Sequence, residues 1–144
     1  MVSTPLHFTQ QFAQIYQLGG CNKVAAVVTT LSAAEQVLCG SFDRIAEQVT
    51  VTADDYVVIM TRGHQADYEV LTQVLRSGAK YIGCIGSRRK LALCREKLLE
   101  NGFTAEEYAR VHAPIGLAIG AETPAEIAVS VAAEMIAVRA GLEL

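Results

Sequence analysis

At 144 residues, with 51% apolar side chains and a formal charge of −3, the chain has room for one domain with a real core. The slight acidity excludes a nucleic-acid binder that works by bulk electrostatics. Cys21, Cys39, Cys84 and Cys94 form neither a CxxC pair nor a zinc-type spacing, which points to reduced thiols in a cytoplasmic protein rather than a disulfide framework. Met1–Phe12 lacks the basic start and apolar core of a secretion signal. The longest apolar stretch, Ile127–Val138, is broken by Ser130 and Glu134 and is too short to span a bilayer.

Phe8, Phe12, Ile15 and Tyr16 recur at helical spacing, and Leu18-Gly19-Gly20 ends that pattern. Val24–Val28 is a strand candidate, and Val37–Cys39 reads as either a short strand or the approach to a helix over Phe42–Gln48. Tyr56–Met60 is a continuous apolar run suited to a parallel strand buried on both faces. Thr61–His64 forms its exit loop. A helix follows to about Ser77, with Tyr68, Leu71 and Leu75 on one face and Gly78 as its stop.

The stretch Tyr81-Ile-Gly-Cys-Ile-Gly-Ser-Arg-Arg-Lys90 reads as strand, glycine turn and helix start. Gly83 and Gly86 permit a tight turn and a close backbone approach. Ser87 is a good N-cap, and Leu91, Cys94 and Leu98 follow at helical spacing. That helix closes at Asn101-Gly102. A short helix covers Ala105–Arg110, and a glycine-punctuated loop from His112 to Thr123 feeds a final helix that is apolar nearly all round. Only Glu126, Ser130 and Glu134 interrupt it. Strands alternating with helices predict an α/β, three-layer Rossmann-like domain with a mostly parallel sheet, and the whole of 1–144 as one domain.

The helix starting after Ser87 carries Arg88, Arg89 and Lys90 in its first turn, at the positive end of the helix dipole. Two other helix starts, Thr104-Ala-Glu-Glu107 and Thr123-Pro-Ala-Glu126, place acids there as capping boxes. Three cations at one start call for an anion. Free helix amides and two guanidinium forks make a phosphate cradle, against the alternative of a solvated basic turn paired with surface acids. In a parallel sheet ligands sit beyond the carboxyl ends of the strands, so Thr61–His64, Gly83–Lys90 and Pro114–Thr123 should converge on one crevice. Arg62, His64 and Asp67 belong to its rim. His64 and Asp67 are two groups where a metal needs more, so ligand contact or simple structural satisfaction are the alternatives. Cys84 is either a thiolate activated by Arg88 and the helix end or a small buried apolar residue. His112 and Pro114 either line the crevice or set loop shape.

Three long motifs carry a family resemblance: Asp55–His64 with Asp67, Tyr81–Lys90, and His112–Ala128 continuing through Ser130 and Glu134. Together they resemble the C-terminal domain of the XdhC/CoxI family over about residues 37–139, with 1–36 divergent. The resemblance implies a Rossmann-like fold and a non-catalytic accessory role for molybdenum hydroxylases such as xanthine dehydrogenase. It further implies binding of the molybdenum cofactor during sulfuration by a cysteine-desulfurase-type partner, and delivery to the target. Molybdopterin carries a phosphate, the kind of anion the Ser87–Lys90 helix start requires. The cofactor-binding set under this reading is Arg62, His64, Asp67, Gly83, Cys84, Gly86, Ser87, Arg88, Arg89 and Lys90.

The chain departs from the family pattern in lacking the first strand with its GxG turn and the aspartate-rich turn after the second strand. Absence of that fingerprint argues against NAD(P). Ala118 stands where family members commonly carry a polar residue. A Rossmann unit without its first strand exposes strand edges and apolar helix faces, so a homodimer is expected. An oxidoreductase-like domain and a protein-interaction module without a small ligand are the rival readings.

Overall fold

The computed structural model describes residues 41–61 and 63–142. The expected helix around Phe8–Tyr16, the strand at Val24–Val28 and the segment Val37–Cys39 lie outside the described residues. The described chain opens with a 3-10 turn, Phe42–Arg44, and a short helix α1, Ile45–Gln48. Strand β1, Tyr56–Ile59, leads into helix α2, His64–Val74, and strand β2, Tyr81–Cys84, into helix α3, Arg88–Glu100. Helix α4, Ala105–Tyr108, strand β3, Val111–His112, and helix α5, Pro124–Arg139, complete the order.

The three strands form one parallel sheet in the order β1-β2-β3, with Ile59 beside Cys84 and Gly83 beside His112. Side-chain alternation divides the strands between two cores. Val57, Ile59, Ile82, Cys84 and Val111 pack with Leu71, Leu91 and Leu98 of α2 and α3. Tyr56, Val58 and Tyr81 pack on the opposite face with Val131 and Met135 of α5. The domain is therefore an α/β, Rossmann-like three-layer structure, as expected. No helix among the described residues is long and apolar enough to cross a membrane.

Local chemistry explains the element ends. Both capping boxes form: Thr104 and Thr123 accept from the Glu107 and Glu126 amides, and each glutamate returns a bond to its cap. Pro124 occupies the first turn of α5. Helix α2 stops at Val74, earlier than expected, because the Ser77 hydroxyl donates to the Val74 carbonyl at 2.7 Å and closes the last turn. Arg110, expected inside a helix, instead sends its guanidinium to the Leu75 and Ala79 carbonyls at 3.2 and 3.0 Å. It pins the α2–β2 connection to the entry of β3. Strand β3 itself was not expected. Its two residues are too few to leave a period in the sequence.

Candidate functional site

The parallel register sets the carboxyl ends of β1 and β2 side by side. The Ile85 amide donates to the Ile59 carbonyl at 2.9 Å, so the exits toward α2 and α3 leave the sheet together. The third exit joins them, because the Ile115 amide donates to the Cys84 carbonyl at 3.1 Å. The N-termini of α2 and α3 and the loop after β3 therefore start side by side at the carboxyl end of the sheet.

At the α3 start, Ser87 is the N-cap and its hydroxyl accepts from the Lys90 amide at 3.4 Å. The amides of Arg88 and Arg89 precede any intrahelical acceptor and stay open. Arg88, Arg89 and Lys90 are exposed, the first turn holds no acid, and no described residue pairs with either guanidinium. Paired surface acids would have neutralised this turn. Among the described residues there are none.

The α2 side is built differently. Gly63 caps that helix with φ 145° and ψ 147°, a region essentially closed to residues with a Cβ. Its carbonyl accepts from the Asp67 amide at 3.2 Å. Asp67 is not an ordinary first-turn surface acid: it is only 4% exposed, and its Oδ1 lies 2.5 Å from the Thr61 hydroxyl. Burial pushes its carboxyl above the usual range, against the opposing pull of the Thr61 hydrogen bond and the charges of Lys90 and His64. His64, expected in the exit loop, is the first residue of α2, and it and Lys90 bring positive charge toward Asp67 from the two helix starts. Arg62 lies outside the described residues.

Two candidates take other roles. Gly83 is not part of the turn but the third residue of β2, facing α5. A Cβ there would sit 2.6 Å from the Tyr81 hydroxyl and 2.7 Å from Ile115 Cγ1, so its glycine makes room for packing. Cys84 ends the strand fully buried, and burial pushes its thiol far up rather than down. Of the two alternatives for Cys84, the small buried apolar residue is the one found: the side chain is sealed from solvent, and desolvation with the nearby Asp67 and Cys94 disfavours the thiolate. Its side chain is covered from a ligand in the crevice. Gly86 remains in the turn with room around it, a Cβ there meeting only Leu91 at 3.4 Å.

A second polar cluster, not assembled from the sequence, lies on the α5 face. Glu134, 6% exposed, accepts the Tyr81 hydroxyl and the Gly116 amide, the latter at 2.9 Å, and its Oε1 lies 3.4 Å from His112 Nδ1. Tyr81 stacks on His112 with ring centroids 4.6 Å apart, and on Tyr56 at 6.0 Å. Gly116, at φ 94°, lies against Ser130 and 3.2 Å from the Val131 amide by its missing Cβ. The sequence signal was a polar pair, Ser130 and Glu134, one helical turn apart on an otherwise apolar helix.

The chain matches the family model described as the XdhC Rossmann domain over residues 6–135. It belongs to the XdhC family. The chain is 37% identical over 134 residues to the uncharacterized protein YqeB of Escherichia coli, covering 93% of this chain and 24% of that protein. It is 30% identical over 106 residues to a probable xanthine dehydrogenase subunit from Bacillus subtilis, covering 74% of this chain and 30% of the relative. It is also 30% identical over 89 residues to the molybdenum cofactor insertion chaperone PaoD of E. coli, with 62% and 28% covered. A crystal structure of a xanthine dehydrogenase from Bacillus halodurans superposes with a TM-score of 0.63 at 28% identity, over 80% of this chain and 32% of that one. This XdhC-family chain thus spans roughly a quarter to a third of the relatives it matches.

Proposed function

We propose that this XdhC-family chain is an accessory protein for maturation of a molybdenum hydroxylase of the xanthine dehydrogenase type, and that it binds the molybdenum cofactor through its phosphate. The observation that carries the reading is the first turn of α3. It offers two open amides and three exposed cations, with no acid in the turn, beyond the carboxyl end of β2. These residues fit a phosphate or pyrophosphate. Arg88 and Arg89 would hold it with guanidinium forks, Lys90 as a point charge, and Ser87 would fix the helix end beneath it. The flexible Gly86 backbone leaves room for close approach. His64 would supply a further polar contact from the α2 side, and Asp67 a buried carboxyl beneath it. Arg62 completes the proposed set.

The names of the relatives support the cofactor and the class of target, one being a molybdenum cofactor insertion chaperone and one a probable xanthine dehydrogenase subunit. The role is carriage rather than catalysis, in the cytoplasm, with a cysteine-desulfurase-type protein as the sulfur donor. A homodimer goes with this reading, supported by the exposed Val129 and Ile136 on α5 and by outer edges of β1 and β3 that have no partner strand among the described residues. Light scattering at micromolar protein tests it, and a monomer would count against it.

The cofactor reading is tested by thermal stability during titration with molybdenum cofactor, with inorganic pyrophosphate and NAD in parallel, on the wild-type chain and on Arg88→Ala/Arg89→Ala. Stabilisation by the cofactor and by pyrophosphate, lost in the double variant with an unchanged circular dichroism spectrum, is the expected result. Lack of stabilisation by any of the three would leave a module that acts through protein contacts alone.

A further inference from the structure

We infer that His112, oriented by Glu134, is a second recognition point for the bound cofactor and accepts a hydrogen bond from its pterin ring through Nε2. The inference rests on the cofactor reading above. Its own observations come from the α5 face of the sheet. Glu134 Oε1 faces His112 Nδ1 at 3.4 Å. A ring nitrogen that faces a carboxylate is held as the N–H side, because a lone pair there would meet negative charge. In the neutral ring Nε2 is then the acceptor. No described residue bonds to Nε2, and Nε2 is not among the buried atoms left without a partner, so it reaches solvent. The His112 side chain is 27% exposed.

Three features fix this imidazole in place. The Tyr81 ring stacks against it, the backbone of His112 pairs with Gly83 in the sheet, and Glu134 is itself held by the Tyr81 hydroxyl and the Gly116 amide. The strand partnership places His112 beside Gly83, four residues ahead of the Ser87 cap, at the carboxyl end of the same sheet. A pterin is a planar heterocycle rich in N–H donors, the chemistry that an oriented acceptor beside stacked aromatic rings would take. Pterin and phosphate are then read by different elements, β3 with α5 for the ring and α3 for the anion.

The test is nitrogen NMR of the His112 imidazole in the wild-type chain, titrated separately with free pterin and with inorganic pyrophosphate. Pterin is expected to shift His112 Nε2 while leaving the Arg88 and Arg89 amides unmoved, and pyrophosphate to do the reverse. His112→Phe should weaken pterin binding about five- to tenfold and change pyrophosphate binding less than about twofold. Glu134→Gln should keep the fold, loosen the tautomer preference seen at Nδ1, and weaken pterin binding in proportion. An unshifted Nε2 at saturating pterin, or unchanged pterin affinity in His112→Phe, overturns the inference. If pyrophosphate still binds in that case, the phosphate cradle stands without it. Loss of pyrophosphate binding in the wild type would sink the cradle instead.

Discussion

Ile115 occupies the space into which a side chain on Gly83 would project. Its Cγ1 lies 2.7 Å from where that Cβ would be, and the Tyr81 hydroxyl lies 2.6 Å away. Ile115 can yield a little by rotation. Tyr81 cannot, because its hydroxyl is held by Glu134.

Gly83→Ala is therefore expected to destabilise the domain by about 1–3 kcal/mol, the usual cost of overpacking a tight core. Urea denaturation measures it. The smaller entropy loss of alanine acts in the opposite direction and is outweighed by the clash. A neutral or stabilising result would mean that β2 shifts away from the loop after β3.

Glu134 offers a sharper contrast between two substitutions. Glu134→Ala removes the acceptor from both the Tyr81 hydroxyl and the Gly116 amide, for an expected loss of about 2–4 kcal/mol by chemical denaturation. Glu134→Gln keeps an amide oxygen for those donors and should cost about 1 kcal/mol or less. Equal losses in the two variants would show that the carboxylate charge, not the hydrogen bonding, supports the loop.

Asp67 gives a signed dependence on pH. Its folded carboxyl titrates above its ordinary value of 3.8, so the folded chain holds that proton more tightly than the unfolded one. The stability it contributes is full at low pH and is lost as pH climbs from the unfolded value through the folded one. A protonated Asp67 also completes a chain in which it donates to Thr61 and Thr61 donates to the Gly63 carbonyl, 3.1 Å away. Asp67→Asn mimics that neutral form. Relative to wild type, the variant should gain stability as pH rises above the ordinary carboxyl value of 3.8, and the gain should level off once the folded carboxyl has ionised. Glu107 and Glu126, which titrate below their usual range, run the other way in both proteins and cancel in the difference. A difference that is flat with pH would show that burial leaves the Asp67 proton where it is in the unfolded chain.

At the α3 start, stability and binding should move in opposite directions. Arg88→Ala and Arg89→Ala each remove a cation from the positive end of a helix dipole, with no acid in that turn to offset it. Each is expected to raise stability by about 0.3–1 kcal/mol at low salt, and the gain should fade as salt is added. The same substitutions should abolish pyrophosphate binding. Destabilisation at low salt would mean that these side chains have a structural partner.

What could be read from the sequence was local. Ser87, Thr104 and Thr123 cap their helices because a cap is a matter of a few neighbouring residues. The apolar run at Tyr56 forms its strand for the same reason, and the parallel sheet follows from alternation of strands and helices. The three cations of α3 were visible as a break in a pattern that the other helix starts obey. Contacts between distant residues were not legible. Tyr81 meets Glu134 across 53 residues, so nothing in the spacing announced their bond. Gly83 looked like a turn glycine because the occupant of its space, Ile115, comes from a later loop. Cys84 stayed open between an activated thiolate and a buried apolar residue because the sequence shows the arginine nearby and hides the depth of the side chain. The depth of Asp67 was not legible because a first-turn position carries no sign of burial.

The row of rings formed by Tyr56, Tyr81 and His112 gives this protein a built-in optical signal. The chain has five tyrosines and no tryptophan, so its emission on excitation beyond the phenylalanine band comes from phenols. Tyr81 donates to a carboxylate and lies against an imidazole, two neighbours that quench an excited phenol. Its emission should be dim while Glu134 and His112 stay against the ring and brighter once α5 separates from the sheet. Separation of α5 from the sheet can thus be followed in solution without attaching a dye to the chain.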